Sequence, residues 1–158
     1  MKLQLSAAAL ADALQSIAVA LWAGSLWAVG FIVAPVLFSR LPDRVVAGML
    51  AGKLFALVAW ISFGCAVYLL LFRLARFGAG AFRQGFFWVV LLMLALILAG
   101  EFGVQPVLEG LKAQALPRDV MASVFRDRFN TWHGVASVLY VIESVLGIAL
   151  VVLRGKGR

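Results

Sequence analysis

The chain has 158 residues and a mass of 17.0 kDa, enough for one domain and too few for two ordinary ones. It is 65% hydrophobic and 13% charged, with a mean hydropathy of +1.05, whereas a soluble domain is about 45–50% apolar and about 25% charged. No single core of this size hides that much apolar surface from water, so the soluble enzyme classes are excluded and a polytopic membrane protein is expected. The net charge of +7, with a pI near 10.6, would suggest nucleic acid in a soluble protein. Here the basic residues fall in short runs between apolar blocks, where they act as topology signals and headgroup contacts, and no nucleic-acid partner is expected.

Four apolar blocks, at about 14–38, 54–72, 86–107 and 132–153, each approach the ~20 residues that cross about 30 Å of hydrocarbon. They predict an all-α fold, an up-down bundle of four transmembrane helices in one domain over 1–158. The N-terminus carries Lys2, an apolar run and a cleavage-like Ala9-Leu10-Ala11. That run is short and holds Gln4 and Ser6, so the segment reads as a lead-in to the first helix rather than a removed signal. In the first loop, Pro42 and Asp43 mark a helix start, with Val45, Val46, Met49 and Leu50 on one apolar face. Gly48 and Gly52 form a small-xxx-small pair echoed by Ala47 and Ala51, a spacing that lets helices approach closely within the chain or between copies. The second loop holds only basic charges: Arg73, Arg76 and Arg83. In the third, Pro117 introduces a stretch with Val120, Met121, Val124, Phe125 and Phe129 on one face and Arg118, Asp119, Arg126, Asp127 and Arg128 elsewhere. Short interfacial helices are therefore expected in the first and third loops.

Lys2, the second loop and the tail (Arg154, Lys156, Arg158) share one side of the membrane. Arg40, Arg44, Lys53, Lys112, Arg118, Arg126 and Arg128 share the other. The two sides tie in number, but only the first is short, purely basic and tight against span ends, which points to both termini in the cytoplasm.

Ionisable residues inside a span cost about 2.5–3.5 kcal/mol on insertion scales and normally face the bundle interior. Glu101 and Gln105 share a face of the third span, and Glu143 lies at mid-depth in the fourth. His133, Ser137, Tyr140 and Ser144 recur every three or four residues along the fourth span, with Glu143 flanking their arc. Ser25 in the first span matches Glu143 in depth. These residues either form a polar seam that passes a proton, an ion or a small solute, or bond between helices and fix their rotation. His133 is the sole histidine and a weak metal or haem ligand, since no second histidine completes a six-coordinate haem. No cofactor is expected. Cys65, the sole cysteine, allows no intrachain disulfide. Phosphate-binding, nucleophile-elbow and metalloprotease motifs are absent from the sequence.

Three segments carry a family resemblance. One runs from Leu21-Trp22-Ala23-Gly24-Ser25 through Ala34-Pro35-Val36-Leu37-Phe38. The next holds Gly48 and Ala51-Gly52-Lys53-Leu54-Phe55, and the last runs from Arg126 through Phe129, His133 and Gly134 to Ser137. Together they resemble a bacterial domain-of-unknown-function family of small four-helix inner-membrane proteins. That domain is shared with eukaryotic transmembrane proteins associated with cisplatin resistance. The resemblance implies a four-helix membrane protein of the bacterial inner membrane and transfers no catalytic residues. A looser similarity reaches copper-resistance D-type proteins and membrane-type protoporphyrinogen oxidases, although the first-helix histidine such oxidases use is missing. The expected activity is non-enzymatic: a transport, permeation or resistance-associated component for a small solute or metal ion. The alternatives are a haem- or copper-linked protein and an accessory subunit. Expected partners are the lipid bilayer and a second copy or a larger membrane complex.

Overall fold

The computed structural model describes residues 7–115 and 124–155. The first span comprises α1 (Ala7–Ala28), a π-helical turn (Val29–Val33) and α2 (Ala34–Arg40). The π turn is a consequence of Pro35, which has no N–H to donate and whose ring crowds the preceding turn. The ladder widens just upstream, where the Ala34 N–H reaches back to the Val29 carbonyl, and the helix continues with αR dihedrals. The third span repeats the device. α4 (Gly85–Leu98) passes through a π turn (Ala99–Val104) into α5 (Gln105–Ala115), with Pro106 immediately beyond the turn. Both helices cross without a break, but each carries one loosened turn.

The second span is the single helix α3 (Arg44–Phe77), and its start follows local chemistry. Leu41, next to Pro42, is extended as the proline ring requires, and the Asp43 carboxylate accepts from the N–H groups of Val45 (2.8 Å) and Val46 (3.3 Å). The separate interfacial helix expected in the first loop is not formed. Nothing between Gly52 and Leu54 breaks the ladder, so residues 44–52 become the opening turns of a 34-residue helix. That helix is about 50 Å long, well beyond the hydrocarbon thickness. It stops at Gly78, whose φ of 53° is the left-handed conformation that glycine adopts without a Cβ penalty. A 3₁₀ turn (Gly78–Arg83) then leads to α4. The fourth span is α6 (Arg126–Leu153); the interfacial stretch expected at 118–123 lies outside the described residues.

The spans form a square. The first packs against the second and fourth, and the third packs against the same two. Trp22, Leu26, Leu69, Met93 and Leu150 fill the interior, all 1% exposed or less. The outer faces carry Ile17, Leu57, Trp60, Leu92, Val138 and Val145, all exposed. An apolar belt around the whole circumference is untenable in water and natural in lipid. All four spans are long and apolar enough to cross a bilayer, so the protein is a multi-pass membrane protein. Asp12 pairs with Arg76, and Arg73 donates to the Arg154 carbonyl, which places the start of the first span and the ends of the second and fourth at one end of the bundle.

Candidate functional site

The polar centre forms where α6 passes the loosened turn of the first span. Tyr140 donates its hydroxyl to the Leu26 carbonyl at 2.6 Å, a main-chain oxygen just ahead of the π turn. Its ring lies flat against Gly30, where a Cβ would sit 2.3 Å from Cε1, so only glycine leaves room. Phe55 from α3 meets the same ring edge-on, with centroids 5.0 Å apart. One tyrosine thus joins three spans. A turn below, Ser144 donates to the Tyr140 carbonyl at 2.8 Å, and Trp27 Nε1 donates to the Ser144 carbonyl at 3.0 Å. Gly147 lets α6 settle in van der Waals contact with Trp27 and Ala23.

Glu143 stands beside this knot. It is 7% exposed, and its Oε1 is buried without a hydrogen-bond partner. Since α6 runs about 16 Å from Glu143 towards either end of its apolar block, the carboxyl sits near the middle of the membrane. The third span also touches α6 through its π turn, and that turn carries Glu101, half-buried and close enough for its charge to act on Glu143. Gln105, half-buried, is the first residue after the turn. Two carboxylates from two spans therefore share one interior region, and each lies near a proline-loosened segment.

The remaining expected residues separate from this group. Ser25 and Ser137 satisfy their own helices, donating to the Trp22 carbonyl (2.9 Å) and the His133 carbonyl (2.8 Å). Ser137 and His133 are exposed, and the imidazole stacks on Phe129 at 5.7 Å, with Lys112 over the other ring at 5.8 Å. The stripe along α6 is thus interior at Tyr140 and Ser144 and exterior at its other two positions. Of the motif residues, Trp22 is fully buried, and Pro35 sets the π turn. Phe38 packs beside Gly48, while Gly24, Gly52 and Gly134 have open space where a side chain would stand. The close packing inside this chain uses Ala47 and Ala51, which are buried, rather than the glycine pair. Among the described residues no group of three or more His, Cys, Asp or Glu side chains could hold a metal ion.

Gly30 and Trp27 were not legible as site residues. Glycine is abundant in this sequence, and nothing local marks the one that a tyrosine 110 positions later will cover.

A family model for a domain of unknown function, DUF4149, matches residues 17–117, well over half of the chain. The chain belongs to this family. No curated protein and no solved structure matches it. The DUF4149 match takes in both π turns, Gly30, Glu101 and Gln105. It stops short of α6, so Glu143 and Tyr140 lie beyond the part of the chain that the DUF4149 model describes.

Proposed function

We propose that this DUF4149 protein is a non-enzymatic permeation component of the bacterial inner membrane that passes a proton or a small cation by way of Glu143. One observation carries the reading: a carboxyl at mid-membrane, almost wholly buried, with an oxygen that no protein donor satisfies. A buried carboxylate without a partner is costly, and within spans such groups mark proton relays and ion pathways. Glu101 supplies a second carboxylate from the neighbouring span, so a proton or cation held between the two relieves their mutual repulsion. Two carboxylates without a third acidic, histidine or cysteine ligand suit a proton, a monovalent ion or an organic cation better than a tightly coordinated transition metal. The test is survival of a deletion strain across metal ions and cationic drugs. Wild type should restore resistance and Glu143→Gln, which keeps the hydrogen-bonding shape, should not, at equal membrane expression. Equal rescue by both would leave Glu143 a packing residue.

The same reading places both termini in the cytoplasm. Its support is the purely basic second loop and tail, which lie at one end of the bundle with the start of α1. Single cysteines at positions 79 and 156, in a background without Cys65, should resist impermeant thiol reagents in intact cells and react once the cells are opened. Labelling of either from outside would reverse the orientation.

A further inference from the structure

At the end of the bundle that gathers the start of α1 and the ends of α3 and α6, a cleft of about 540 Å³ opens between the spans. It lies at the opposite end of α6 from His133 and is lined by Asp12, Gln15, Ser16, Arg73, Arg76 and Arg154, among others. Its electrostatics are unbalanced. Three guanidinium groups face one carboxylate, Asp12, which Arg76 already holds in an ion pair.

Arg73 is the unusual member. It is 2% exposed, and among the described residues no carboxylate lies within ion-pair distance of it. Its guanidinium donates to Gln84 Oε1 at 2.8 Å and to the Arg154 carbonyl at 3.3 Å, and lies over the Phe86 ring at 4.3 Å. These neutral partners orient the cation without neutralising it, and its Nε stays buried and unpartnered. Gln15, 8% exposed, also buries an amide nitrogen without an acceptor. Buried charges are normally paired and buried donors normally satisfied. Both orphaned atoms are donors, on residues that line one cleft, so what is missing is an acceptor with negative charge.

We propose that this cleft binds a phosphate group, that of an anionic phospholipid headgroup or of a phosphate-bearing solute. Phosphate offers several acceptor oxygens to a guanidinium fork and to an amide at once. The volume far exceeds the about 30 Å³ that one water occupies, which leaves room for a headgroup rather than an ion alone. Basic pockets between spans near a membrane surface are where anionic headgroups bind. The site is separate from Glu143 and does not depend on its role.

The full-length protein in phosphatidylcholine nanodiscs, with and without phosphatidylglycerol, tests this through its thermal unfolding midpoint and the lipids it retains in native mass spectrometry. Inorganic phosphate added to the phosphatidylcholine sample forms the second arm. Stabilisation and retention with phosphatidylglycerol, and none with phosphate, identify the headgroup; stabilisation by phosphate alone identifies a soluble ligand. Arg73→Gln should abolish the response, but it also removes the contacts to Gln84 and Arg154. Gln15→Leu and Arg154→Gln therefore carry the test, since the first replaces an unsatisfied amide by an apolar group and the second leaves the Arg154 carbonyl in place. Each should weaken binding about tenfold, equivalent to about 1.4 kcal/mol. No response to either ligand, or a wild-type response in both variants, would overturn the proposal.

Discussion

Tyr140 is the residue on which the interior geometry turns, because it joins α6 to the main chain of the first span and to Phe55 of the second. Its ring leaves no room for a Cβ at Gly30. Gly30→Ala should therefore lower stability by about 1–3 kcal/mol, the usual cost of overpacking a filled site. The measurement is thermal or denaturant unfolding in detergent, run as a double-mutant cycle with Tyr140→Ala. In the Tyr140→Ala background the same alanine should cost little, since the clashing ring is gone. An equal cost in both backgrounds would place the strain in the helix rather than in the contact. At this scale the sequence was partly legible. Glu143 and Tyr140 stand out because polar side chains are expensive at their depth, and both prove to be interior. His133 and Ser137 shared their periodicity but not their surroundings: a helical repeat defines an arc, not which part of that arc a neighbour covers. Arg73 and Gln15 looked like a loop cation and a lead-in polar residue. Their burial is set by α6 ending beside them, which no local pattern announces.

The helices themselves were largely readable. Apolar length marked all four spans, and Pro42 with Asp43 marked the start of α3 together with its cap. What local reasoning missed was continuity. The apolar face of residues 44–52 suits an interfacial helix and the first turns of a long span equally well, and only the uninterrupted ladder through Lys53 decides between them. The two π turns are a further case. Proline inside a span predicts a kink, yet in Val29–Val33 and Ala99–Val104 the chain absorbs each proline by widening one turn instead of breaking. The consequence is functional. Both widened turns touch neighbouring spans, one against the ring of Tyr140 and the other presenting Glu101 towards α6. Regular α-helix at either place would rotate those residues away by a large part of a turn.

As a whole molecule, the protein is a four-span square with a sealed apolar interior, a buried acid near its centre and a basic cleft at one end. This division of charge fits a membrane protein whose central polarity serves permeation and whose terminal polarity holds it against anionic groups. The family match supports the first three spans, while the carboxyl at the centre of the account comes from the fourth. The most direct test of its role uses purified protein in liposomes that enclose a pH-sensitive dye. Pulses of cationic solutes should move the internal pH with the wild-type protein and leave it still with Glu143→Gln, at matched reconstitution. If the glutamine variant moves protons as fast as wild type, or if neither exceeds empty liposomes for any cation tried, Glu143 is not a permeation site.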